Sequence, residues 1–368
     1  MYFPFRPQLT ANAKSYADHM PAVPEGTLDA SLGVNPYGFP PEAAAAMAAF
    51  DTARLMDYPQ SRALNEAVGD YWRELGGPGP DELTLANGSI CALYCLNSLF
   101  GQSVRREVAG FVPTFTDMVE SVRRFGMTYR GVPIRLEEGG RAEMSDLLPA
   151  VTEGTAFVYL DRPNNPTGQT LSLSDTERLL AKARQAGAYV LVDEAFGDFL
   201  PREESTLTLW GKYDNLLVVK TFSKGFGLAN LRCGYIAAPR EVTGYLARTT
   251  NPFLLSDLER AVCAAALGRG DHPTAHAGDF QRAKAAVKSV IGRRLTMLET
   301  DSRVPICTLA LETEGDLQAL LLDEGVLTVS GAEFETLSRR YVRLRIPREE
   351  DLPHLLAALE RVERGRDA

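Results

Sequence analysis

Six short apolar runs recur through the middle of this chain, at Leu83–Ala86, Val108–Val112, Ala156–Leu160, Tyr189–Val192, Leu216–Val219 and Gly234–Ala237. Runs of this length without polar alternation suit strands buried on both faces, since a half-wetted strand would be polar at every second position. Amphipathic stretches lie between several of them. "SLSDTERLLAKARQAG" opens on a Ser/Asp cap and closes on Gly187, which predicts a helix covering the sheet. Such alternation predicts an α/β large domain, with a mainly parallel sheet sandwiched by helices. Ligands of such sheets bind beyond the carboxyl ends of the strands. The segments found there are "NGSI", "PTF", "DRPNNPTG", "DEAF" and "TFSKGFG", all polar or glycine-rich.

The last third has a different texture. "LSDLERAVCAAALG" and the longer "FQRAKAAVKSVIGRRLTMLE" read as helices, followed by short strands in "ICTLALE", "GVLTVS" and "YVRLRI". "LQALLLDEG" and "DLPHLLAALERV" supply helices between and after them. The division expected is an N-terminal segment, 1–45, packing on the small domain or on a partner subunit. A large domain over 46–250 and a smaller α+β domain over 251–368 follow it.

Composition narrows the function classes. With 39 basic and 48 acidic residues the formal charge is −9, which argues against nucleic acid or an anionic membrane held by bulk charge. No basic-then-apolar leader opens "MYFPFRPQL", and no apolar run approaches the ~20 residues that span a bilayer, so a cytoplasmic protein is expected. Five cysteines are too few and scattered for a disulfide framework; Cys91 and Cys95 read as two buried thiols on one helix face. His272 and His276 fall in a Gly/Pro/Asp-rich stretch that reads as a solvated loop, and no metal site is expected.

The strand-end segments form one inventory. Gly88, Ser89 and Ile90 begin the apolar helix "CALYCLNSLF", where a glycine, a hydroxyl and free N–H groups suit an anion such as phosphate. Phe115 offers a plate for a flat ring, and Asn165 a side-chain amide. Asp193 ends the apolar run "YVLV", where a carboxylate is costly unless it meets a cation or a protonated nitrogen. Ser223, Lys224 and Arg232 add a hydroxyl, an amine nucleophile and a second phosphate partner. That set matches pyridoxal 5′-phosphate: an aldehyde for the lysine, a pyridine nitrogen for the carboxylate, a phosphate for the cradle.

The order "NPTG", "DEAF", "TFSKGFGLANLRCGY" resembles the fold-type I pyridoxal-phosphate enzymes of the class I/II aminotransferase superfamily. Within it the chain is similar to the histidinol-phosphate aminotransferase branch, which has counterparts of "NPYG" (Asn35 to Gly38), "YP" (Tyr58-Pro59) and "PNNPTG". The resemblance runs from about residue 30 to the C-terminus and implies an aspartate aminotransferase-like fold. It makes Lys224 the residue that bonds the cofactor's aldehyde, Asp193 the partner of the ring nitrogen and Asn165 the partner of the phenolic oxygen. It assigns Phe115 to the ring face and Gly88, Ser89, Ile90, Ser223 and Arg232 to the phosphate surroundings. It further implies that Tyr58 reaches the phosphate in a partner subunit, so that a homodimer shares its sites. Arg343, with Arg345 and Arg348 as alternatives, clamps the substrate carboxylate, and Asn35 and Tyr37 contact substrate.

One departure stands out. Phe196 occupies the position where this branch has a tyrosine that bonds the phenolic oxygen, and "DEAFGDFLP" resembles the threonine-phosphate decarboxylases instead. Three readings follow: an aminotransferase acting on an amino acid or amino-alcohol phosphate; an α-decarboxylase of a phosphorylated or polar amino acid; and a non-enzymatic binding module that kept the fold.

Overall fold

The computed structural model describes residues 23–365. From β1 (Leu28–Asp29) the chain passes through α1 (Pro41–Ala49) and α2 (Ala63–Arg73) into β2 (Leu83–Ala86) and α3 (Gly88–Phe100). Then come β3 (Glu107–Val112), α4 (Thr116–Arg124), β4 (Thr128–Pro133), β5 (Thr155–Asp161) and α5 (Leu173–Gln185). β6 (Tyr189–Asp193), β7 (Leu216–Thr221), β8 (Gly234–Ala237) and α6 (Arg240–Thr249) follow. Strands β2 to β8 form a seven-stranded sheet in the order β2-β8-β7-β6-β5-β3-β4, in which β8 alone runs antiparallel to its neighbours. All six apolar runs became strands. The one they missed, β4, pairs only with β3 at the sheet edge and leaves Thr128, Arg130 and Gly131 exposed, so it carries no apolar run.

Alternate residues of the central strands serve opposite layers. Val158, Leu160, Val190, Val192 and Val218 pack with α1, α2 and α5. Phe157, Tyr159, Leu191, Leu217 and Val219 pack with α3, α4 and α6 on the other face. Each fully buried aliphatic side chain here contributes about 1.5–3 kcal/mol, which is why the runs have no polar face. Cys91 and Cys95 border the second layer but stay partly exposed, short of the burial expected of them.

The second unit starts later than expected. Helix α7 (Asp257–Leu267) was assigned by sequence to the small domain, yet Val262, Cys263, Ala266 and Leu267 belong to the large domain's core beside α1 and α2. Its amphipathic pattern marks it as a helix without saying which core it faces. The crossover falls in residues 268–276. The small unit holds α8 (Ala277–Val290), β9 (Leu295–Met297), β10 (Ile306–Leu311), α9 (Leu317–Asp323), β11 (Val326–Leu327), β12 (Val329–Ser330), β13 (Tyr341–Arg345) and α10 (Leu352–Arg364). Its antiparallel sheet has the order β12-β13-β10-β9. "LTM", read as the tail of the long helix, is strand β9: the helix ends at Val290, before Gly292, and Leu295–Met297 pairs with β10. β1 pairs in parallel with β11, and Ala30 joins the small unit's core, so this part of the N-terminal segment packs on the small unit. Residues 1–22 of that segment lie outside the described residues.

A buried charge cluster supports the floor of the large domain. Lys220 places its Nζ 3.1 Å from Glu194 and 2.9 Å from Asp198, and all three are buried. Glu194 also accepts from the Ser205 hydroxyl, the Thr206 N–H and the Thr206 hydroxyl. Burial works against its charge, but Lys220 and Arg162 hold its carboxyl below the usual range. Removing one partner of a buried pair strands the other. Glu194→Ala is therefore expected to lower the unfolding free energy by about 3–5 kcal/mol, read from the midpoint of urea denaturation. An unchanged midpoint would show that Asp198 alone satisfies Lys220.

Candidate active site

The carboxyl ends of β5, β6 and β7 and the start of α3 open into a cavity of about 310 Å³. Leu32, Val34 and, from β13 of the small unit, Arg343 also line it. Ser89, Ile90, Phe115, Asn165, Asp193, Phe196, Ser223, Lys224 and Arg232 all line it. Residues read one by one from strand ends thus meet in one place.

The lysine sits on a braced loop. Thr221, the last residue of β7, accepts the Ser223 N–H at 3.2 Å, and the Lys224 carbonyl accepts the N–H groups of Asn35 and Gly227, each at 3.1 Å. Asn35 also donates its Nδ2 to the Gly225 carbonyl at 2.9 Å, while its Oδ1 accepts the Tyr37 N–H at 3.0 Å. Its amide is consumed in holding the lysine loop. Asn35 is therefore a brace outside the cavity, where a substrate contact was expected. Tyr37 also departs from expectation: it stacks on His276 with ring centroids 3.5 Å apart and leans on Phe280, outside the cavity lining. The same stack corrects the reading of His276 as a solvated loop residue, since it also pairs with Asp279 at 2.7 Å.

Beside the lysine lies an anion cradle. Gly88 opens α3 at a φ of +77°, and a Cβ there would stand 2.6 Å from Arg232 Nη2. Only glycine admits both the backbone angle and the guanidinium. Arg232, itself at a φ of 51°, donates to the Ser223 hydroxyl at 3.3 Å. Helix N-terminus, hydroxyl and guanidinium converge as a phosphate site requires.

Across the cavity the polar groups are fixed in direction. Asp193 is buried; one oxygen accepts the Tyr159 hydroxyl at 3.0 Å and the other the Ala195 N–H at 2.9 Å. Burial pushes its carboxyl up to about 6, with those two donors pulling the other way. Arg343, 1% exposed, donates to Asn165 Oδ1 at 2.8 Å and to the Ser31 carbonyl at 2.8 Å. With its oxygen held by a guanidinium, Asn165 keeps its Nδ2 as the donor for a ligand. Arg343 is thereby singled out from its neighbours. Arg345 donates to the Asp29 carbonyl, and Arg348 faces Glu350 and Asp351 at the surface.

Phe196 lines the cavity and packs with Phe199 and Leu200 in the small unit's core. A Cβ on Gly33 would lie 2.6 Å from its ring, so the ring fills its slot completely. Sequence reasoning missed Asp161, Asp117 and Pro163 in the lining, and Tyr159 behind Asp193. The signal for Asp161 was present: "FVYLD" ends an apolar strand on a carboxylate as "YVLVD" does. Tyr58 stands apart, 73% exposed, with its ring 4.7 Å from that of Phe253. Among the described residues no three His, Cys, Asp or Glu side chains gather as metal ligands, and no helix is long and apolar enough to cross a membrane.

A helix-sandwiched sheet with a lysine, an anion cradle and a carboxylate at its strand ends, capped by a smaller domain, is the architecture of the aspartate aminotransferase fold. The chain belongs to the aminotransferase class I and II family, whose profile matches residues 28–359. It is 33% identical over 309 residues to a histidinol-phosphate aminotransferase of Paenarthrobacter aurescens, covering 81% of this chain and 80% of that one. It is also 33% identical over 248 residues to histidinol-phosphate aminotransferase 1 of Cupriavidus pinatubonensis; the match covers 66% of this chain and only 63% of that protein's length. The solved histidinol-phosphate aminotransferase of Clostridium acetobutylicum superposes with a TM-score of 0.82 at 21% identity, covering 92% of this chain and 99% of that one.

Proposed function

We propose that this protein is a pyridoxal 5′-phosphate-dependent aminotransferase, acting in the cytoplasm on an amino acid or amino-alcohol phosphate. The observation that carries the reading is the convergence of Lys224, Asp193, Arg232 and the Asn165–Arg343 pair on one cavity. The donor set fits the cofactor group by group. Gly88, Ser89, Ser223 and Arg232 would hold its phosphate, Asn165 Nδ2 its phenolic oxygen and Asp193 its ring nitrogen, while Phe115 covers a ring face. When bound, the cofactor supplies the electron sink for negative charge developing at the substrate Cα.

The protein's own part is to position and to move a proton. Arg343 faces the substrate anion with a guanidinium already oriented by Asn165 and the Ser31 carbonyl. Lys224, whose amine lies over the apolar ring of Phe196, would be the group that takes up and gives back a proton beside the substrate Cα. Leu32, Val34 and Phe196 would place apolar surface around that transfer. Phe196 also keeps decarboxylation as a second reading, because it leaves Asn165 as the side-chain donor to the phenolic oxygen. Incubation with a panel of amino acids and phosphorylated amines, scored for keto product and for released CO2, separates the two. Keto or aldehyde product without CO2 supports transamination; CO2 without it overturns the reading.

The same reading includes a two-fold homodimer in which Tyr58 completes the partner's site. Tyr58 lies in an exposed apolar patch with Leu55 (60%), Met56 (92%) and Phe253 (48%), a surface suited to burial against a second copy. Tyr58→Phe is expected to weaken cofactor binding by about 1.5–3 kcal/mol, as for a lost hydrogen bond to a charged group. Light scattering on active enzyme checks the assembly, and a fully active monomer would rule out shared sites.

A further inference from the structure

Besides Asp193 the cavity lining holds two buried carboxylates, Asp117 and Asp161, that the functional reading leaves without a role. Asp161 ends β5 and is the direct register partner of Asp193 at the end of β6. Adjacent strands lie about 5 Å apart, so the two acids sit side by side beneath the cavity. Both line it, and both are buried, at 7% and 4% exposure.

The surroundings of Asp161 match its ionised form. One oxygen accepts the Asn165 N–H at 2.9 Å and the other the Asn164 Nδ2 at 2.9 Å. The Asn164 amide has no freedom to turn round, because its Oδ1 already accepts the Thr167 N–H and hydroxyl at 3.1 and 2.7 Å. Two obligatory donors thus face the carboxylate, and neither can accept a proton from it. These bonds also tie the Asn164–Gly168 loop to the sheet, and that loop carries Asn165, whose Oδ1 is held by Arg343. Two neighbouring buried carboxylates repel each other unless a cation lies against them.

We propose that Asp161 is a positioning residue of the cofactor site: a second fixed negative charge beside Asp193 that orients Asn165 and selects a ring carrying positive charge, a pyridinium. The inference rests on the functional reading above. Without a ligand, burial pushes the Asp161 carboxyl up to about 7, opposed chiefly by the Asn165 N–H. The groups that share its surroundings are Asp193 on β6, Tyr159 on β5, Tyr129 on β4, Thr114 and Asp117 around the start of α4, Lys224 and Arg232 after β7, and Arg343 on β13. Of these the three cations are each assigned to a different part of the ligand, and Lys220, whose charge also reaches Asp193, is paired with Glu194 and Asp198, so a cationic ring is the natural partner of the acid pair.

The test uses the cofactor-loaded enzyme and reads the pH midpoint of its visible absorbance band, which reports the charge around the Lys224–cofactor link. Asp161→Asn removes the charge at constant shape, and Asp161→Ser removes it while keeping an acceptor for the Asn165 N–H. Loss of a nearby negative charge disfavours the protonated link, so each variant is expected to shift the midpoint down by about one pH unit. Weaker cofactor binding, by about tenfold in Kd, is expected with it, measured by fluorescence quenching of the apoenzyme. A wild-type band with unmoved midpoints in whichever variants fold overturns this inference alone. A wild-type protein that takes up no cofactor overturns the functional reading and this inference together.

Discussion

A Lys224→Ala enzyme is expected to keep its fold and lose both the borohydride-reducible link to the cofactor and nearly all turnover. On the proposed reading a single side chain has two tasks, covalent attachment and proton transfer. The second alone is worth about 10²–10⁴ in rate. The fold survives because the loop is held by backbone contacts that do not involve the amine: the Lys224 carbonyl to the Asn35 and Gly227 N–H groups, and the Gly225 carbonyl to the Asn35 amide. Two measurements check this together. The wild type should show a visible band that borohydride abolishes and the variant should not, while their thermal unfolding coincides. Near-wild-type turnover in the variant would remove Lys224 from the mechanism, and a collapse in stability would mean that its side chain is structural.

Asp193→Ala is expected to divide rate from affinity. On the proposed reading the cofactor would retain phosphate contacts at Gly88, Ser89, Ser223 and Arg232, so binding is expected to weaken modestly. What would disappear is the fixed charge proposed to keep the ring nitrogen protonated while negative charge develops, and the loss of one such preorganised group costs about 10²–10³ in kcat. Tyr159 and the Ala195 N–H, which now hold the carboxylate in one orientation, would be left facing the gap. Steady-state kinetics beside a cofactor titration distinguish the cases. A fall in affinity with kcat unchanged would make Asp193 a cap for the turn at Ala195 rather than the partner of the ring.

Both variants act on residues that could be found by eye, and the reason is geometric. A strand buried on two faces must be apolar along its whole length, so its end is visible as the first polar residue, and ligand groups of a parallel sheet lie at those ends. Lys224, Asp193 and the Gly88 cradle were legible for that reason. Asp161 obeyed the same rule and was overlooked beside the turn-rich segment that follows it. Phe196 was legible as a substitution, but not as a side chain shared with the small unit's core. α7 was legible as a helix, while its place in the large domain's core was not, because an apolar stripe has no address.

The sequence by itself determined the order of the six apolar strands and the helices between them, the positions of the candidate reactive groups at their ends and the class of cofactor chemistry those groups suit. These follow from local periodicity and from the chemical type of each strand-end residue. Only the tertiary structure decided which polar atoms meet. Arg343 reaches Asn165 across 178 residues of chain, Asn35 reaches the Gly225 carbonyl across 190, and Asp161 comes beside Asp193 only when β5 and β6 pair in register. Hydrogen bonds of that kind depend on the docking of one folded unit against another and on strand register. Both are set by the sum of many apolar contacts rather than by any short stretch of residues.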